Sequence, residues 1–291
     1  MNYLAQSLTA FAPAKLNLFL HVIGRRPDGY HLLQSVFTML DIGDTVHFLP
    51  RDDGIIRRVS DLPGVNEEDD LVVRAARLIK REAGDNKLGV DISVEKRIPL
   101  GGGLGGGSSD SATTLLALNR CWNLGFSREK LQIMGGALGA DVPFFIFGRS
   151  AFVEGVGERL RPVELPAWWY VVLTPPVQVP TLVVFAHPEL TRNTLPLKIS
   201  DFSANGLADL RNDLQPVVLK TFPAVLRSFG ALQAVSQRSV FGARMTGSGA
   251  CVFAAFEVEQ EARKAFQLLE PEYKGFIAHG LSRHPFDYQA R

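Results

Sequence analysis

Six glycines fall within seven positions in the segment from Pro99 to Ser109. Glycine lets backbone N–H groups converge on an anion, and the helix predicted to follow adds partial positive charge at its start. A merely structural turn with this many glycines would lose an unnecessary amount of backbone entropy on folding. The segment therefore predicts a polyphosphate-binding loop, made of Pro99, Leu100, Gly101, Gly102, Gly103, Leu104, Gly105, Gly106, Gly107, Ser108 and Ser109.

Two better-known glycine motifs fit this loop less well. A P-loop carries Lys and then Ser or Thr after its last glycine, whereas Gly107 is followed by two serines. Three of the glycines match G-x-G-x-x-G formally, but the segment over 95–99 that precedes them is charged. It lacks the buried strand of a dinucleotide-binding unit. A dehydrogenase is therefore the lesser hypothesis.

Lys15 and Asp141 are charged residues among small or apolar neighbours. Lys15 opens an alternating run, so Asn17 shares its face of the predicted strand. Asp141 lies in a small-residue turn before the apolar segment over 142–147. A lysine that begins a strand is usually only solvated, and an aspartate in such a turn is as often a helix N-cap as a reactive group. Local sequence leaves both roles open for each residue.

The elements that must position these residues begin with a meandering sheet. Alternation over 16–20 predicts a first strand, and Gly43 with Asp44 suit a turn between two further strands. Helical spacing over 69–81 ends at Gly84, a typical helix stop. The expected order is strands over 36–40 and 45–49, that helix, a strand over 90–95, the glycine loop and a helix over 108–122.

The second half of the sequence differs from the first in its distribution of prolines. Five prolines between 162 and 180 bracket a strand over 170–173 and place a domain junction near residue 161. A helix over 214–229, strands over 243–246 and 250–256, a helix over 258–269 and a strand over 276–279 follow. This order indicates an α+β sandwich, with helices on one face of a mainly antiparallel sheet.

Composition excludes several classes of function. Lys and Arg number 31 against 30 Asp and Glu, so no overall basic charge attracts nucleic acid or an anionic membrane. The N-terminal stretch lacks the apolar core of a signal peptide, and no apolar run reaches the roughly 18 residues that span a bilayer. Two cysteines provide neither a disulfide framework nor metal-ligand spacing. We therefore expect a cytoplasmic enzyme without a protein-built metal site.

Three motifs together resemble the GHMP kinases, the superfamily of galactose, homoserine, mevalonate and phosphomevalonate kinases. They are Pro13-Ala-Lys-Leu-Asn17, the glycine loop, and Thr246-Gly-Ser-Gly-Ala-Cys-Val-Phe253, in the order and spacing of that superfamily. The resemblance implies a two-domain α+β fold. A ribosomal protein S5 domain 2-like N-terminal domain over 1–160 would bind ATP, and a ferredoxin-like α/β-sandwich C-terminal domain over 161–291 would bind the acceptor.

Four further segments resemble the branch of that superfamily whose acceptor is a cytidine diphosphate-linked polyol, a precursor of isoprenoids. This resemblance extends over nearly the whole chain and is weakest over 194–212. The segments are Ala14-Lys-Leu-Asn-Leu-Phe-Leu20, Arg26-Pro-Asp-Gly-Tyr-His31, Leu138-Gly-Ala-Asp-Val-Pro143 and Phe152-Val-Glu-Gly-Val-Gly-Glu158.

The same resemblance implies roles for individual residues. Asp141 would be the catalytic base that deprotonates the acceptor hydroxyl, and Lys15 would orient it and face the transferred phosphoryl group. The acceptor would contact Asn17, with Tyr30, His31 and Phe185 around its cytosine. ATP would bind with Mg²⁺ held mainly by phosphates and water. This sequence departs from common family residues at Asp70, Asp110 and Leu182.

Two rival functions stay open at this level. Another small-alcohol kinase of the superfamily would accept an alcohol without the cytidine group. A non-catalytic nucleotide-binding sensor could share the fold, although the complete glycine loop, Lys15 and Asp141 favour an enzyme. We expect a monomer or weak homodimer in either case.

Overall fold

The computed structural model describes residues 7–286, so the outer ends of both predicted domains lie outside the described residues. Strands and short 3-10 turns alternate with eight helices over this range. In chain order the elements are β1 (Leu8–Arg25), β2 (His31–Arg51), β3 (Ile56–Arg58), α1 (Leu71–Ala83), β4 (Gly89–Glu95), α2 (Gly106–Cys121), α3 (Arg128–Gly136), α4 (Val142–Phe147), β5 (Ala151–Gly155), β6 (Arg159–Pro162), β7 (Trp169–Leu173), α5 (Thr181–Ala186), α6 (Gln215–Thr221), α7 (Pro223–Ala234), β8 (Arg244–Met245), β9 (Val252–Phe256), α8 (Glu259–Gln267) and β10 (Gly275–Leu281).

The long strands β1 and β2 form the antiparallel ladder on which the first half is built. β2 also pairs with β4 and β5. Apolar residues of this sheet and of α1, α2 and α4 form one core cluster, which includes Met39, Val73, Leu115 and Phe144. Burial of that cluster holds α2, and with it the glycine loop, against the sheet.

The predicted turn at Gly43 and Asp44 is wrong, because β2 runs through both residues without a break. A Cβ on Gly43 would lie 2.2 Å from the carbonyl oxygen of Ala12, so glycine is needed where β2 pairs closely with β1. Asp44 is fully buried and accepts a 2.8 Å hydrogen bond from the amide of Ile98. Gly43 therefore allows close packing of the two strands, and Asp44 anchors the segment that leads to the glycine loop.

The helices α1 and α2 begin at different kinds of N-cap residue. The Asp70 carboxylate accepts from the amide of Val72 at 3.0 Å, and Gly84 ends α1 in the left-handed conformation, as predicted from sequence. α2 begins two residues before the predicted start, with Gly105 at its N-cap and a φ of 72°. Its first backbone N–H groups therefore open onto the glycine loop.

The helix predicted over 214–229 is two helices, α6 and α7, that meet at Phe222 and Pro223. Proline lacks the N–H that a continuous helix needs and pushes the preceding residue towards extended backbone. Phe222 accordingly has φ −119° and ψ 91°. These helices and α8 pack around strands β7, β8 and β9 in a second core cluster, which includes Val171, Leu214 and Phe256.

The two halves share one sheet, ordered β3-β4-β2-β10-β7-β9-β8. β10 connects them, because it pairs with β2 on one side and β7 on the other. A third core cluster joins residues from both halves, among them Leu16, Phe152, Tyr170 and Phe253. The fold class is α+β, as predicted; the junction at residue 161 stays a prediction. No helix of the described chain is long and apolar enough to cross a membrane.

Candidate active site

Lys15, on β1, and Asp141, immediately before α4, come together in the N-terminal half. The Lys15 ammonium lies 3.3 Å from the Asp141 carboxylate, and the two side chains are 4% and 30% exposed. The lysine also donates to the side-chain oxygen of Asn17 and lies 4.8 Å from the centre of the Phe37 ring. A buried ammonium beside a partly open carboxylate leaves the carboxylate accessible to a substrate.

Asp141 immediately precedes α4, yet its side chain makes no cap hydrogen bond to that helix. The structure therefore lacks the hydrogen bond that the N-cap alternative requires. Its position depends on the turn before α4, where Gly139 lies close to the glycine loop. A Cβ on Gly139 would be 3.7 Å from the Ser108 hydroxyl.

The glycine loop turns through left-handed backbone at three positions, Gly101, Gly103 and Gly105, with φ of 70°, 76° and 72°. Side chains rarely adopt this conformation. A Cβ on Gly105 would lie 3.1 Å from the Lys15 side chain. The amide of Lys15 donates to the carbonyl of Leu104 at 2.9 Å, which fixes the loop to β1. The loop, Lys15 and the Asp141 turn thus form one site.

Thr246 closes the same site from the C-terminal half. Its hydroxyl accepts from the amide of Asn17 at 2.9 Å and lies 3.3 Å from the carbonyl of Gly103. Asn212 supports this turn by donating to the carbonyls of Met245 and Gly247, both at 2.8 Å. Sequence analysis did not single out Asn212, because it lies in the weakest part of the resemblance and carries no motif of its own.

A second group of predicted residues lies at the start of β2. The rings of His31 and Phe185 stack with centroids 4.9 Å apart and planes 29° apart. Tyr30, beside them, is 65% exposed. His31 lies six residues before Phe37 on β2, and Phe37 is the ring next to Lys15. Six residues of strand span about 20 Å. The described site therefore suits an elongated ligand with an aromatic end far from the reacting end.

Lys96 lies between two buried carboxylates beside the loop. Its ammonium contacts Asp44 and lies 2.7 Å from Asp110. A Cβ on Gly106 would be 3.3 Å from the same ammonium. Burial raises the pKa of Asp110 to about 7, against the lowering effect of Lys96. The other Asp110 oxygen is buried without a hydrogen-bond partner in the described structure.

The other two departures from the family pattern have different surroundings. Asp70 caps α1 and forms a 2.6 Å ion pair with Arg58, with both side chains 8% exposed. Leu182 is 84% exposed on α5, the helix that carries Phe185. Asp70 therefore has a structural function here, and Leu182 lies at the surface near the aromatic pair.

Family models match both halves of the chain. The model described as GHMP kinases N terminal domain matches residues 70–149, and that described as GHMP kinases C terminal matches residues 195–272. Solved structures agree on the fold: a homoserine kinase from Cytophaga hutchinsonii superposes with a TM-score of 0.66, 18% identity and coverage of 98% of this chain and 97% of the other. Fold and site together define a GHMP kinase.

Closer relatives narrow the assignment. The chain is 59% identical over 275 residues to 4-diphosphocytidyl-2-C-methyl-D-erythritol kinase from Thiobacillus denitrificans, covering 94% of this chain and 95% of the relative. It is 54% identical over 274 residues to the enzyme of that name from Nitrosomonas europaea, with 94% and 97% covered. A crystal structure of 4-(cytidine 5'-diphospho)-2C-methyl-D-erythritol kinase superposes with a TM-score of 0.80 and 35% identity over 94% of this chain and 99% of that one.

The chain belongs to the 4-diphosphocytidyl-2-C-methyl-D-erythritol kinase family of GHMP kinases. The resemblance predicted from the sequence motifs is confirmed. The chain is accordingly an ATP-dependent phosphotransferase with an alcohol acceptor.

Proposed function

We propose that this chain transfers the γ-phosphoryl group of ATP to the 2-hydroxyl of 4-diphosphocytidyl-2-C-methyl-D-erythritol, in the methylerythritol phosphate route to isoprenoid precursors. The observation that carries the proposal is the 3.3 Å contact between Lys15 and Asp141 beside the glycine loop. An aromatic pair lies about 20 Å along β2 from that contact. A nucleoside diphosphate joined to a four-carbon polyol has a comparable length.

Asp141 acts as the base in this proposal. The acceptor is a tertiary alcohol, so its proton must leave as the new P–O bond forms and the bond to ADP breaks. The Asp141 carboxylate accepts that proton. Lys15 keeps the carboxylate ionised and offers positive charge to the transferred phosphoryl group, and its ammonium is held in place by Asn17.

The polyphosphate of ATP lies against the glycine loop, where the first N–H groups of α2 point. Mg²⁺ neutralises phosphate charge and usually keeps several waters. In this proposal the metal is held mainly by phosphates and water. A Cβ on Gly139, in the Asp141 turn, would lie 3.7 Å from the Ser108 hydroxyl, and in this proposal Ser108 supplies a direct or water-mediated contact to the metal.

Tyr30, His31 and Phe185 bind the cytosine in this proposal. Aromatic rings stack on a pyrimidine, and His31 can bond its edge. Binding energy gained here, far from the reacting hydroxyl, would position that hydroxyl. We also propose a cytoplasmic enzyme, monomeric or weakly dimeric, without a nucleic-acid partner.

An ATPase assay with and without acceptor tests the proposed function. We expect ADP release to require 4-diphosphocytidyl-2-C-methyl-D-erythritol, with one phosphomonoester formed per ADP. Equal turnover of 2-C-methyl-D-erythritol 4-phosphate, which lacks the cytidine group, would favour another small-alcohol kinase. ATP binding without turnover of either acceptor would favour a sensor.

A further inference from the structure

Arg192 connects both members of the aromatic pair. Its Nε donates to Nε2 of His31 at 3.2 Å. One terminal nitrogen donates to the carbonyls of Phe185 and His187, at 2.8 and 2.9 Å, and the other donates to the carbonyl of Leu190 at 3.0 Å. A single half-buried side chain thus fixes one ring by its edge and the other through its backbone.

These contacts determine which nitrogen of His31 carries the proton. A guanidinium stays protonated in proteins and can only donate hydrogen bonds. Nε2 must therefore accept, and the proton of the neutral ring resides on Nδ1. Burial lowers the pKa of His31, and the positive charges of Arg192 and Arg25 lower it further, which favours the neutral ring.

The Nδ1–H group has no protein acceptor among residues 7–286. It is therefore available to a ligand. The free edge of cytosine offers acceptors at O2 and N3, whereas uracil carries a hydrogen on N3. Because Nδ1 keeps its proton, it can donate a hydrogen bond to N3 of cytosine. At N3 of uracil it would face another N–H group, so the donor would be unpaired or repelled.

We propose that Arg192 is a positioning residue that holds His31 as a fixed hydrogen-bond donor, and that this donor makes the enzyme select cytosine over uracil. The inference rests on the proposed cytidine function of this site. Arg192 itself need not touch the substrate.

Kinetics with the cytidine acceptor and its uridine analogue test the selection. Wild type should prefer the cytidine acceptor, and Arg192→Gln should reduce the ratio of the two kcat/KM values by about tenfold, the effect of one lost hydrogen bond. The loss should lie in acceptor KM, with kcat and the KM for ATP within about twofold. Arg192→Lys should retain more of the ratio, because lysine only donates, whereas glutamine can also accept.

Arg26→Ala is the matched control. Arg26 lies in the hairpin before Tyr30 and pairs with Asp28 at 2.6 Å, so the variant removes a neighbouring positive charge and leaves the His31 contact in place. Its cytidine preference should match that of wild type. Equal loss in the lysine and glutamine variants, or an unchanged ratio in folded Arg192→Gln, would overturn the proposal.

Nitrogen NMR of histidine-labelled enzyme tests the tautomer without relying on turnover. His31→Gln identifies the His31 signals. Wild type should show a protonated Nδ1 and an unprotonated Nε2, and this measurement needs no Arg192 variant to fold. A proton on Nε2 in wild type would refute the role of Arg192. If wild type used the uridine acceptor equally well, both cytidine recognition and the proposed selection of cytosine over uracil would be refuted. The tautomer of His31 would still show whether Arg192 positions the ring.

Discussion

Asp141→Asn separates proton transfer from positioning. The substitution keeps the size of the side chain and much of its hydrogen bonding, but an amide cannot take the proton from the substrate hydroxyl. We expect kcat to fall by about a hundredfold to ten-thousandfold with nearly unchanged affinities for both substrates. Steady-state kinetics and calorimetric titration of the folded variant measure the two effects. Near-normal turnover would show that the reaction needs no base at this position.

Lys15→Ala tests whether the ion pair acts as one unit. The variant should also lose turnover, and the double variant should lose less than the product of the two single losses, because Lys15 and Asp141 are in contact. Multiplicative losses would mean that the two residues act independently.

Asp110 gives the stability of the protein a specific pH dependence. Its pKa in the folded protein, about 7, lies above the ordinary value of 3.8 because of burial. The folded state therefore binds a proton more tightly than the unfolded state, and the stabilisation is lost as the pH rises through 7. Asp110→Asn does not titrate, so its melting temperature relative to wild type should rise by about 2–4 °C or more between pH 5 and pH 8.

Asp53→Asn is a control for that measurement. Its hydrogen bond with Arg51 lowers the Asp53 pKa to about 2, so the group is ionised throughout this pH window. The difference from wild type should be flat between pH 5 and pH 8. An equally flat difference for Asp110→Asn would mean that Asp110 is ionised at pH 5.

At the scale of the element, the glycine loop can be tested at Gly106 with less strain than at Gly103. A Cβ on Gly103 would lie 2.4 Å from the Thr246 carbonyl, so substitution there disturbs the backbone as well as the ligand space. Gly106 has no positive φ, and the atoms nearest to a Cβ there belong to the side chains of Ile98 and Lys96 rather than to backbone. Gly106→Val should weaken ATP binding by about tenfold or more in calorimetric titration, because β-branched bulk would obstruct the N-terminus of α2.

Gly230→Val provides the comparison in another helix. No atom lies within 4 Å of a Cβ placed on Gly230, in α7, so ATP affinity should be unchanged there. Wild-type ATP affinity in folded Gly106→Val would show that the glycine loop is not part of the nucleotide site.

Sequence predicted most elements because their local signals and tertiary contacts agree. Gly84 ends α1 as expected, and α2 follows the loop. The errors at Gly43 and at Phe222 have different causes. At Gly43 the glycine is required by the close approach of the paired strand β1, which local sequence does not show. At Phe222 the following proline is itself a local signal that ends a helix.

The site was predictable to the extent that its residues lie in motifs. Lys15 and the glycine loop could be named in advance, but their juxtaposition with Thr246 depends on a contact across 229 residues between Asn17 and Thr246. Neither Asn212 nor Arg192 carries a local pattern. Their positions follow from the packing of the C-terminal half against β1 and β2. The periodicity of apolar residues in the sequence does not predict that packing.

At the scale of the whole molecule, β10 should make the two halves unfold together. Ala278 is 1% exposed in this strand, within the core shared by both halves. Ala278→Asp should cost about 3 kcal/mol or more, because an unpaired charge would be buried. Calorimetry should show one transition at lower temperature, with ATP binding lost in the same transition.

Leu268→Asp is the matched control, since Leu268 is 73% exposed and the same charge there stays in water. Its melting temperature should change little. Two separate transitions in Ala278→Asp, with ATP binding retained in the more stable one, would show that the halves fold independently.

The central place of β10 also constrains how the chain is made. Synthesis proceeds from the N-terminus, and residues 275–281 leave the ribosome after β2 and β7, the strands with which they pair. Until then β2 and β7 lack the strand that joins them in the sheet. A growing chain must therefore keep two partial sheets with unpaired edges apart from each other and from other nascent chains. The shared sheet is completed only after β10 has been synthesised.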